Sequence, residues 1–92
     1  MRHTIAGRRY HIVFNARLSD SHGICTDPAR PRPTIKIARG LSALNELEAV
    51  IHEALHASAY QLLSEAYVTE TANDIATLLT KIGYVKHGIE TA

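Results

Sequence analysis

Two histidines and a glutamate carry the first chemistry that the sequence offers. His52-Glu53-Ala54-Leu55-His56 is an HExxH pattern. On a helix, at about 100° per residue, the two imidazoles lie about 40° apart and one turn apart along the axis. Nitrogens so placed can meet one ion through zinc–nitrogen bonds of about 2.0–2.1 Å. Glu53 stands about 100° around the helix from His52. That is a poor position for a third ligand and a good one for reaching a water on the ion's open side. A carboxylate there can take the water's proton, which the ion makes easier to lose. Ala49 and Ala59 flank the imidazoles and leave room for an ion, a water and a substrate atom.

A catalytic zinc takes three protein ligands and keeps one position open. Glu70-Thr71-Ala72-Asn73-Asp74 places two carboxylates on one face of a second helix. Glu70 is the expected third ligand. Asp74, one turn on, is the expected outer carboxylate that holds His52 in its working orientation. Glu65 and Asp74 are the alternatives for the third ligand. Glu70 lies about 200° around its helix from Val68, off the main apolar stripe. It serves only if a second face, with Tyr67, Thr71, Asp74 and Leu78, meets the motif helix.

Strands and helices must position these groups. Arg9 to Leu18 alternates, with Tyr10, Ile12, Phe14, Ala16 and Leu18 on one side, and this period of two predicts a half-buried strand. A short β segment follows around Ile24-Cys25-Thr26, and Thr34 to Ala38 is another strand. Between them, Asp27 to Pro33 carries three prolines and reads as an extended surface loop. From Ser42 the period turns helical, with a stripe of Leu44, Leu47, Ile51, Leu55 and Leu62 and with Ser42 or Asn45 as cap. A second helix is expected to begin at Ser64, to bury Val68, Ala72, Ile75, Leu79 and Ile82, and to end at Gly83. Strands followed by two helices make an α+β fold. The expectation is one domain over residues 1–92, with about three strands in a small antiparallel or mixed sheet packed on a two-helix hairpin.

HExxH followed on the next helix by E-x-x-x-D resembles the glutamate-zincins, the thermolysin-like zinc metallopeptidases. The Glu70 to Ile75 stretch and the Ile51-to-Ala57 run, Ile-His-Glu-Ala-Leu-His-Ala, carry the likeness. In size and in that run the chain is also similar to small HExxH proteins encoded by bacteriophages and prophages. The resemblance implies a minimal zincin-like domain binding Zn2+ through His52, His56 and Glu70. It further implies Glu53 as general base, Asp74 as the outer partner, and a peptide or protein substrate. The peptide is expected to lie extended beside Thr34 to Ala38, adding a strand to the sheet. Thirteen residues separate His56 from Glu70, fewer than in thermolysin-like enzymes, so the hairpin must be tight. Tyr60, Tyr84, His87 and Arg39 are candidate electrophiles.

Composition narrows the function classes. The 92 residues are 46% hydrophobic and 21% charged, which argues against disorder and low complexity. A lone cysteine, Cys25, excludes an internal disulfide framework and fits a reducing, cytoplasmic setting. No apolar run approaches the roughly 18–20 residues of a membrane span, and no signal-like stretch opens the chain. The net charge of +1 is unevenly spread: residues 1–39 carry eight Arg or Lys and two acids, residues 40–92 two Lys and seven acids. A basic half of this kind allows a second reading, a non-catalytic zinc-stapled module docking nucleic acid or a host protein. His3, His11, His22 and His87 form no spaced pair and read as ordinary.

Overall fold

The computed structural model describes residues 1–84, so His87 lies outside the described residues. Four strands and two helices follow one another: β1 (Arg2–Ile5), β2 (Arg8–Ala16), β3 (Gly23–Cys25), β4 (Thr34–Ala38), α1 (Ala43–Ser58) and α2 (Glu65–Lys81). The fold is α+β with a mixed sheet in the order β1-β2-β4-β3. β1 runs antiparallel to β2, β2 parallel to β4, and β3 antiparallel to β4.

The sheet has four strands rather than three because the N-terminus folds back on β2. Ala6 and Gly7 link the two strands with φ of 50° and 81°. Two positive φ values give the turn a twist that matches paired strands. Ala in the first position hides the Asn-Gly or Asp-Gly signal by which such hairpins are usually read. β2 keeps its alternation, with Tyr10 and Ile12 buried. Its register slips between Val13 and Ala16, where Asn15 adopts φ 63°. This bulge ends regular pairing at Ala16, before Leu18.

Both helices start on serine caps. The Ser42 hydroxyl, not Asn45, caps α1 by accepting from the Asn45 backbone N–H at 3.1 Å. Ser64 caps α2 by accepting from the Tyr67 N–H, also at 3.1 Å. α2 closes with Gly83 at φ 97°, its N–H donating to Thr80 and that of Tyr84 to Leu79.

α1 is the middle layer. One face, Ala49, Glu53 and Ala57 at four-residue spacing, is buried, and its two alanines pack with Tyr10, Ile12, Ile35 and Ile37 of the sheet. α2 packs on α1 and on no strand; its buried face is Val68, Ala72 and Ala76. The expected leucine stripe is therefore not the sheet-facing side: Leu44 is exposed, and Leu47, Ile51 and Leu55 are only half-buried. Small residues win both contact faces because they let backbones approach closely. Among the described residues no helix is long and apolar enough to cross a membrane.

Candidate metal centre

The motif helix places His52 and His56 side by side, with ring centroids 5.0 Å apart. The connection from Ala59 to Ser64 is short, with Gln61 at φ 64° and a Leu62 N–H to Ala59 carbonyl bond. It turns the chain so sharply that the first residue of α2 lands over the last turns of α1. That residue is Glu65. Its Oε2 lies 3.1 Å from His52 Nε2 and its Oε1 lies 2.9 Å from His56 Nε2.

Donor atoms of His52, His56 and Glu65 all lie within 4.8 Å of one another. A tetrahedral ion with bonds of about 2.0–2.1 Å keeps its donors roughly 3.3 Å apart. The observed separations of 2.9 and 3.1 Å are close to that spacing. Two imidazoles and a carboxylate are also a donor set that suits zinc. The three residues fit such an ion.

Glu70 and Asp74 are not brought to the histidines. Both are exposed on α2. With Val68, Ala72 and Ala76 against α1, Glu65 stands about 20° from the centre of the contact face, whereas Glu70 and Asp74 each stand about 160° from it. The second face that Glu70 requires points away from the motif helix. The outer carboxylate nearest His52 is instead Glu48, one turn earlier on the same helix. Its Oε2 lies 3.6 Å from His52 Nδ1, a charge contact just beyond hydrogen-bond range.

Glu53 is the one buried charged side chain among the described residues. Burial pushes its carboxyl pKa up; His52 and His56 pull it back, while Glu65 and Glu48 add to the rise. β3 lies across it. A Cβ at Gly23 would sit 2.9 Å from Glu53 Cγ and 3.2 Å from Glu53 Oε2. Glycine here is the condition for α1 and β3 to meet. Cys25, two residues on, is also beside Glu53; its thiol is pushed up to about 11, first by burial and then by the Glu53 charge.

These groups line one open cleft of about 440 Å³ between β3 and α1. Glu48, His52, Glu53, His56 and Glu65 form one wall, and Ser21 to Cys25 form the other. No family model, no curated protein and no solved structure matches the chain.

Two further expectations change. β4 is paired with β2 on one side and β3 on the other, so Thr34 to Ala38 has no free edge for a peptide. The edge at the cleft is β3. There, Ala38 donates to His22 at 2.8 Å and Thr26 to Thr34 at 3.0 Å. In antiparallel pairing the intervening Gly23 and Cys25 backbone groups point the other way, to the open edge. The electrophile candidates are elsewhere too: Tyr60, Tyr84 and Arg39 line three other surface depressions. His22 lines the cleft. It stands alone in sequence, and no spacing rule could have found it.

Proposed function

We propose that the chain is a zinc-dependent hydrolase of peptide bonds, with His52, His56 and Glu65 as ligands and Glu53 as general base. One observation carries this reading: a carboxylate from α2 reaches both motif histidines at the mouth of a cleft beside the buried Glu53. Bound zinc would supply a Lewis acid and a water acidified toward neutral pH.

The protein's own groups do the rest. Glu53 takes a proton and later returns it to the leaving amine, the two halves of general acid–base catalysis. Burial suits it to both, because a raised pKa brings a carboxylate nearer the working pH. Glu48 faces the far nitrogen of His52 and favours a proton there. The open edge of β3 offers the Gly23 and Cys25 backbone groups to an extended peptide, which would lie along the cleft as a fifth strand. His22, on the opposite wall from the histidine pair, is the side chain we assign to hold the oxygen that gains charge.

Glu53→Gln tests the reading. The variant should take up zinc as the parent does, measured by metal analysis and chelator competition. Its cleavage of a quenched fluorescent peptide mixture should fall by about a hundredfold or more. Undiminished cleavage by Glu53→Gln, or failure of the parent chain to take up zinc at all, overturns it.

A further inference from the structure

Behind α1, on the side away from the cleft, the sheet presents an outer face of a different character. Strand register defines its members. Arg2 pairs with His11 and Thr4 with Arg9 across β1 and β2, and His11 pairs with Thr34. Val13 and Ile24 both pair with Lys36. Paired residues share a face, and these alternate with Tyr10, Ile12, Ile35 and Ile37, which face the core. None of the four strands contains an Asp or Glu.

The cations converge on His11. Arg32 donates from Nε to His11 Nε2 at 3.3 Å, bringing a guanidinium from the proline-rich loop to the edge of the face. Arg2, Arg9 and the chain's amino group lie near enough, with Arg32, to hold the His11 pKa down; loss of solvent is the larger cause. Among the described residues the acids of the helices lie at the cleft, on α2 and at Glu46 of α1, and at this edge Asp27 shares a surface depression with Arg30 and Arg32.

We propose that this outer sheet face binds the phosphate backbone of nucleic acid, through Arg2, Arg9, Arg32 and Lys36. Guanidinium forks match phosphate oxygens in pairs, and no carboxylate on the strands competes for them. A protein partner fits less well, since protein interfaces are anchored by buried aromatic side chains in pockets. Here the exposed apolar groups are Val13 and Ile24, and the aromatic residues of β2 point into the core or away from this face. With no aromatic platform to stack bases, the contacts are to phosphate alone, which makes the binding independent of sequence. Because the face lies opposite the cleft, a bound strand leaves the candidate metal centre open. The proposal does not depend on that centre.

The experiment is fluorescence anisotropy of a labelled single-stranded oligodeoxynucleotide of mixed sequence titrated with the full 92-residue chain. Three or four phosphate contacts give a log–log salt slope of about −2 to −3 on a single strand. Arg2→Glu/Arg9→Glu should weaken binding by about tenfold or more, whereas Arg17→Glu, past the bulge and outside β2 beside Arg39, should change it by less than about threefold. Arg2→Gln/Arg9→Gln, read with circular dichroism, separates lost charge from lost folding. Absence of binding at low salt, or equal weakening by Arg17→Glu, overturns the proposal. Tighter binding of polyglutamate than of the oligonucleotide would transfer the face to an acidic polypeptide and overturn it as well.

Discussion

Gly23 and Glu53 are in contact across the seam between sheet and helix, and the contact exists only because residue 23 has no side chain. A Cβ there would come within 2.9 Å of Glu53 Cγ and 3.1 Å of the Lys36 carbonyl oxygen. The carbonyl belongs to β4 and cannot step aside. Gly23→Ala must therefore push Glu53 out or lift β3 from α1. We expect a loss of about 1–3 kcal/mol, the usual range for overfilling a packed seam. For a domain of this size each kcal/mol is about 4–8 °C in Tm. The double variant Gly23→Ala/Glu53→Ala should recover part of that loss. Thermal melts of the four species measure the coupling, and strict additivity would refute the contact.

Glu65, not Glu70, should control metal affinity. Glu65→Gln is expected to weaken zinc binding by about a hundredfold or more, beyond what changes outside the ligand set cost. Glu70→Gln and Asp74→Asn should stay within about threefold of the parent. Competition with a chromophoric chelator decides between them. Loss of affinity in Glu70→Gln with none in Glu65→Gln would mean that α2 is rotated from the arrangement described.

Glu48 should tune His52 from behind. Its carboxylate faces Nδ1 at 3.6 Å, so it favours the tautomer that frees Nε2 as a ligand. Glu48→Gln is expected to weaken zinc binding by roughly 10–100-fold. Nitrogen-15 imidazole shifts should show His52 moving toward a tautomer mixture while His56 stays put. Unchanged His52 shifts would remove Glu48 from this role.

Cys25 should be slow to alkylate. Its thiol is pushed up to about 11, and a raised thiol pKa leaves less of the reactive thiolate at any pH below it. At pH 8 the thiolate fraction is about one in a thousand, against about one in four to one in ten for a free thiol. Iodoacetamide should therefore react roughly a hundredfold more slowly with the folded chain than with the chain in guanidinium. The folded rate should still be climbing at pH 10. Glu53→Gln removes the lesser cause and leaves burial, so the gap should narrow without closing. A folded-state plateau near pH 9 would contradict the environment described for Cys25.

Much of this was legible in the residues because local periodicity reports local structure. The alternation of Tyr10, Ile12 and Phe14 marks β2, and the serines at 42 and 64 mark the helix starts. The i, i+4 spacing of His52 and His56 fixes their meeting whatever the rest of the chain does. β1 was hidden because an Ala-Gly turn with two positive φ values has no strong sequence signature.

The sequence by itself determined the α+β class, the motif helix, its histidine pair and the glutamate between them. Each of these follows from contacts within a few residues along the chain. Only the tertiary structure decided which carboxylate joins the pair, which strand offers a free edge, and what stands behind His52. Those depend on how α2 is rotated about its own axis and on where β3 pairs. Both are set by close packing of Val68, Ala72 and Ala76 on α1 and of Gly23 on Glu53. Rotating the helix by about 140° exchanges Glu65 for Glu70 without altering its apolar period, so spacing alone cannot choose between them.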